Sequence, residues 1–188
     1  ESHDPAVPAA YAAFMRTGWD DRDESRAPLP LTASAAERRR RLGEAFPGER
    51  LVIPAATFKV RANDTDYRFR PDTAHAYLSG NQTSDAVLVL DDGEAVLYAR
   101  PRSSRETDEF FRDRQYGALW AGKRPSAGEL AASLDLEVRH VDDLPAVLSA
   151  TGKTRVLRGI DAGVDAAVPA DEGRDGDLAS FLSSMRLV

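Results

Sequence analysis

Two short apolar runs, residues 86–90 (AVLVL) and 95–99 (AVLYA), are joined by Asp91-Asp92-Gly93-Glu94, and this feature constrains the fold more than any other. An Asp-Gly pair between apolar runs predicts a β-hairpin, because the tight turn that matches strand twist needs positive φ at both central residues. Around this hairpin the chain alternates. Residues 51–53 (LVI) and 155–157 (RVL) read as short buried strands, and residues 136–141 (LEVRHV) alternate with period two. Ser34-Ala35-Ala36-Glu37 fits a capping box for a helix running to Phe46, which Pro47-Gly48 then stops. Helical spacing of Phe110, Phe111 and Arg114 predicts a helix over residues 105–120. A second capping box, Ser126 to Glu129, opens another, and Asp142 caps a short helix through Leu148. Leu178, Phe181, Leu182 and Met185 form a final helical stripe. Strands alternating with helices call for a sheet flanked by helices, an α/β fold.

Length and composition set the limits. A chain of 188 residues fits one domain with appendages, on a prior of roughly 100 to 200 residues per domain. We divide it into an N-terminal extension (1–33), punctuated by four prolines and a charged stretch, a main domain (34–160), and a segment (161–188) made of an Asp-, Ala- and Gly-rich linker followed by the last helix. The net charge of −6 disfavours nonspecific adhesion to nucleic acid or anionic membrane. The absence of cysteine excludes disulfides, thiolate catalysis and cysteine-ligated zinc. The apolar runs fall far short of the roughly 20 residues a membrane span needs. The amino end has no signal-peptide pattern, so the expectation is a cytoplasmic protein whose start has been trimmed.

The search for chemistry returns little. Gly152-Lys153-Thr154 lacks the first glycine of a phosphate-binding loop, Val147 standing in its place, and reads as a turn into the strand at Arg155. His3, His75 and His140 are too scattered for a metal-binding helix pair; His75 and His140 read as ordinary surface or half-buried imidazoles and His3 as part of a disordered terminus. Residues 171–177 hold acids, but Leu182 occupies the position where a calcium loop needs Glu, so they read as solvated linker. Arg38 to Arg41 spread around a helix and read as solvated surface rather than a nucleic-acid face. No self-sufficient catalytic constellation emerges.

One ordered series of motifs is more telling. Ile53-Pro54-Ala55, Arg61-Ala62-Asn63-Asp64-Thr65-Asp66-Tyr67-Arg68-Phe69-Arg70, Tyr77-Leu78-Ser79-Gly80 and Asp85-Ala86-Val87-Leu88-Val89-Leu90 resemble the amino-terminal domain of aminopeptidase P, the Xaa-Pro aminopeptidase, in the creatinase and prolidase superfamily. Arg100-Pro101-Arg102 and Leu119-Trp120-Ala121-Gly122-Lys123-Arg124 resemble the segment after that domain's hairpin, and Ser183-Ser184-Met185-Arg186-Leu187-Val188 resembles the junction helix before its catalytic domain. Departures are Arg68 where proline is common, Asn81 where an aromatic usually follows the glycine, and residues 107–117, which look inserted.

The resemblance implies a mixed, roughly six-stranded sheet with flanking helices and a ribonuclease H-like motif. It implies no catalytic residue, metal or cofactor in this chain. Two manganese ions, held by two Asp, one His and two Glu, are expected on a catalytic domain further along the polypeptide. The implied partners are peptides with proline in second position, that catalytic domain, and further copies in a dimer or tetramer, with no nucleic acid or membrane. By position, Trp120 is similar to an aromatic that reaches a neighbouring subunit's active site, and Asp64 to an acid facing the pocket. Tyr67 and Arg70 join them as pocket or interface candidates, with packing as their plainer role. A prolidase or creatinase relative, or a peptide- or protein-binding module without enzymatic activity, are the alternatives.

Overall fold

The computed structural model describes residues 6–19, 22–63 and 65–187. Its elements run α1 (Ala9–Arg16), α2 (Thr32–Ala45), β1 (Arg50–Pro54), β2 (Val60–Ala62), β3 (Thr65–Asp66), α3 (Thr73–Ser79), β4 (Val87–Asp91), β5 (Glu94–Ala99), α4 (Asp108–Arg112), α5 (Ala118–Ala121), α6 (Ala127–Leu134), β6 (Glu137–His140), α7 (Leu144–Ser149), β7 (Thr154–Val156), α8 (Ala162–Ala167) and α9 (Glu172–Arg186). A mixed five-stranded sheet has the order β6-β5-β4-β1-β7. Strand β4 runs antiparallel to β1 and β5, while β7 is parallel to β1 and β6 to β5. The main sheet has five strands rather than about six; residues 60–62 and 65–66 pair apart from it as a separate two-stranded ribbon.

The hairpin forms as its turn requires. Asp91 pairs with Glu94, leaving Asp92 and Gly93 at φ of 49° and 84°, the left-handed values a type I′ turn demands. Strand alternation then sorts the core by residue type. Leu51, Ile53, Leu88, Leu90 and Leu97 point to one face and are covered by α2, α3, α6 and α9, through Leu42, Leu78, Leu130 and Leu178 among others. Val52, Val87, Val89, Val96 and Tyr98 point to the other, under Leu144, Leu148 and Val164 of α7 and α8. With both faces covered, the central strands are apolar throughout, which is why they read as unbroken runs. No helix among the described residues is long and apolar enough to cross a membrane.

Several expectations are corrected. Helix α2 begins at Thr32, not at a Ser34 cap; the Leu31 carbonyl receives the Ala35 amide at 2.9 Å, so Ser34 already lies inside the first turn. Helix α6 does carry its capping box, Ser126 Oγ accepting from the Glu129 amide while Glu129 accepts from the Ser126 amide. Glu129 also accepts the Glu24 amide at 2.7 Å; that bond first, and then the Ser126 amide, hold its carboxyl below the usual range. The N-terminal extension is thereby fastened to the domain, and Met15 of α1 packs on Phe110 and Phe111.

Residues 161–176 are not a solvated linker. Asp161 caps α8, Asp171 caps α9, and Asp175 is buried, accepting from the Val156 amide at 2.8 Å and Arg158 Nε at 2.7 Å. Burial alone would raise the Asp175 pKa, but those bonds and the Asp171 amide outweigh it and leave the carboxyl below its ordinary range. Helix α9 then runs along the leucine face, with Leu178 and Leu182 buried in it and Tyr77 Oη donating to the Met185 carbonyl at 2.9 Å. Arg38 and Arg39 are not simply solvated either. They donate to the Tyr77 and Leu78 carbonyls at 3.0 and 2.8 Å, placing positive charge at the C-terminus of α3.

Candidate functional site

Strands β1, β5, β6 and β7 point the same way. The segments that follow β1, β5 and β7 therefore leave one end of the sheet, the end where open α/β sheets bind ligands. All the sequence-derived candidates are on two of them, residues 55–72 and 100–126.

Tyr67 and Arg70 come together. They line a depression of about 340 Å³ with Ala56, Lys59, Arg68, Pro71, Asp72 and, from beyond β7, Gly159 and Ile160. The ribbon β2–β3 and the Tyr67 amide, bonded to the Lys59 carbonyl at 2.9 Å, hold this segment folded back. Phe69 turns inward onto the leucine face and meets Phe58 at 5.4 Å, whereas Tyr67 stays 59% exposed. Arg70 is exposed and makes no ion pair with any described residue. Asp64 lies outside the described residues.

Trp120 does not line that depression. It sits on α5, 58% exposed, with its indole Nε1 donating to the Phe111 carbonyl at 2.8 Å and the Arg114 guanidinium 5.7 Å from its ring. One edge of the indole is thus fixed while much of its surface stays uncovered. The support around it departs from the single helix expected over 105–120. Asp113 Oδ1 accepts the amides of Gln115 and Tyr116 at 2.8 and 2.7 Å, a local bond that competes with helix continuation and separates α4 from α5. Gly117 then lets α5 return close over the carbonyls of α4.

Sequence reasoning missed the anchor of this loop, Tyr116. The guanidinium groups of Arg100 and Arg124 both pack on its ring, 4.6 and 5.2 Å from the ring centre, and Arg124 Nη2 donates to the Arg100 carbonyl at 3.0 Å. Burial, reinforced by the facing Asp85 carboxylate, pushes the phenol pKa well above its ordinary value, so Tyr116 stays neutral. Arg100 carried a signal as part of the Arg-Pro-Arg motif; Tyr116 and Gly117 carried none, since their partners are distant in sequence.

His75 is fully buried, against the expectation of a surface or half-buried imidazole. Its Nδ1 bonds the Ile53 carbonyl at 2.9 Å, and its Nε2 meets Asn81 Nδ2 at 3.1 Å. Nδ1–H as donor and Nε2 as acceptor satisfy both contacts only in the neutral ring. Asn81, a departure from the family pattern, is thus the residue that locks His75. Among the described residues no three His, Asp or Glu come together as metal ligands. His75 has both nitrogens committed and His140 is drawn to Asp142, so these residues do not fit a metal centre.

The family model for "Aminopeptidase P, N-terminal domain" matches residues 35–157. The chain belongs to this family. Curated relatives of this aminopeptidase P N-terminal domain include Xaa-Pro aminopeptidase 1 of Streptomyces coelicolor, 45% identical over 98% of this chain and 39% of the relative. Xaa-Pro aminopeptidase 2 of the same organism is 42% identical, over 98% of this chain and 41% of its own length. The chain therefore spans about two-fifths of these relatives. Among solved structures, Pseudomonas aeruginosa aminopeptidase PepP superposes with a TM-score of 0.58 at 22% identity, covering 85% of this chain and 34% of that one. Aminopeptidase P from E. coli with the inhibitor Pro-Leu gives 0.58 at 22%, covering 86% and 36%. These structures share the fold: a mixed sheet with flanking helices.

Proposed function

We propose that this chain is the non-catalytic N-terminal domain of a metal-dependent Xaa-Pro aminopeptidase, which removes the N-terminal residue preceding a proline in second position, and that it builds the rim of the substrate pocket. Hydrolysis belongs to polypeptide outside this chain, where the reading puts two metal ions, manganese by the resemblance. The supply of an activated water and a polarised carbonyl is their contribution. This chain's own residues bind and orient. The names of the curated relatives favour an aminopeptidase over a binding module without activity.

The observation that carries the reading is Trp120, an aromatic held at one edge by the Phe111 carbonyl and otherwise open, on a loop at the ligand-binding end of the sheet. A flat, pre-set apolar face suits the rigid ring of proline and loses little entropy when it packs. On this reading Trp120 meets peptide in a neighbouring copy of a dimer or tetramer, while Tyr67, Arg70 and Asp64 face the pocket of their own subunit.

In the full-length enzyme, Trp120→Ala is expected to raise KM for an Xaa-Pro tripeptide about tenfold with little change in kcat, since uniform binding is lost and not transition-state chemistry. Trp120→Phe should recover most of the loss. Unchanged KM in Trp120→Ala would remove Trp120 from the pocket.

A further inference from the structure

Residues 59–70 carry four cations, Lys59, Arg61, Arg68 and Arg70, all exposed and with no side-chain hydrogen bond or ion pair to any described residue. Elsewhere the arginines are largely committed. Arg50 is bonded to Asp91, Arg102 to Asp23, Arg155 to Glu49 in bidentate fashion, and Arg158 to Asp175. Three of the four, Lys59, Arg68 and Arg70, line the depression of about 340 Å³ beneath the ribbon. The one acid in that lining, Asp72, is already occupied, its Oδ1 accepting the Ala74 and His75 amides as the cap of α3. Tyr67, Pro71 and Ile160 supply an apolar wall beside the cations. A chain with net charge −6 thus presents a locally cationic hollow at the substrate end of its sheet.

We infer that this hollow is a subsite for a peptide carboxylate, either an acidic side chain beyond the proline or the C-terminal carboxylate of a short peptide. A guanidinium with no partner among the described residues offers a fork that matches a carboxylate, and the apolar wall takes the adjoining methylenes. The inference rests on the peptidase reading above and names the class of peptide it favours. Because the cations are solvated, the preference is modest and weakens with salt.

The test uses the full-length enzyme and two pairs of proline-second peptides, Glu against Gln at the third residue and free acid against amide at the C-terminus. We expect the acidic member of at least one pair to have the higher kcat/KM, by roughly fivefold at low ionic strength. That ratio should fall towards one at high salt, and in the double variant Lys59→Gln with Arg68→Gln. The pair that responds tells which carboxylate is bound. Each ratio is internal to one enzyme, so a folding defect lowering both rates does not imitate the effect. Equal rates within both pairs, or a preference untouched by salt and substitution, overturn the inference while leaving the peptidase reading intact. Failure to cleave any of the four peptides refutes the peptidase reading itself.

Discussion

Gly117→Ala is expected to destabilise the protein by about 2–4 kcal/mol, a large effect for the addition of one methyl group. A Cβ at this position would sit inside the contact distance of the Glu109 and Asp113 carbonyl oxygens and 2.9 Å from that of Phe110. These are backbone atoms of α4 and its exit, so no side chain can swing aside. Relief requires α5 to lift, and Trp120 lifts with it, breaking its bond to Phe111. The backbone at Gly117 has φ of −65°, which any residue tolerates, so the penalty is purely steric. Gly43 makes the contrast: a Cβ there meets nothing within 4 Å, in the last turn of α2, and Gly43→Ala should stabilise by about 0.5 kcal/mol. Urea unfolding of the two variants measures both effects. A Gly117→Ala protein as stable as its parent would mean that the α4–α5 turn does not hold Trp120 as described.

Stability is also expected to fall in mild acid, by about 3 kcal/mol between pH 6.5 and pH 4. The cause is His75. Burial pushes its imidazole down to about 4 in the folded protein, from 6.5 in the unfolded chain, although the Ile53 carbonyl and Asp72 pull the other way. Between those values the unfolded state binds the proton and the folded state does not, so unfolding gains as pH drops. Above pH 6.5 the contribution is complete; by pH 4 it has been lost. Protonating Nε2 would also turn it from an acceptor into a donor facing the Asn81 amide nitrogen. Glu129 and Asp175, whose carboxyls are held low, add their own losses at still lower pH. Urea denaturation at about pH 7 and about pH 4.5 should show the drop, and His75→Gln should start lower and flatten it. A wild-type stability independent of pH across that window would contradict the buried neutral imidazole.

How much of this was legible in the sequence depends on the range of the interaction. The hairpin at residues 86–99 and the capping box at Ser126 and Glu129 were readable because every residue that decides them is adjacent. The family pattern likewise located the two loops that carry Trp120, Tyr67 and Arg70. The linker reading of residues 161–176 failed because its acids look solvated one at a time. Only the fold brings Val156 and Arg158 to Asp175. The same holds for His75, whose partners Ile53 and Asn81 sit on different segments, and for Tyr116, contacted by arginines that precede and follow it. The break between α4 and α5 was hidden by helical spacing that Asp113 overrides with its own backbone bonds.

The central claim is a division of labour, with a pocket rim in this chain and peptide hydrolysis outside it. The measurement that tests it most directly compares the purified 188-residue chain, verified as folded by circular dichroism, with the full-length enzyme on an Xaa-Pro peptide across a manganese titration. The account expects turnover from the full-length enzyme and none from the chain alone at any metal concentration. Manganese-dependent cleavage by the chain alone would contradict it.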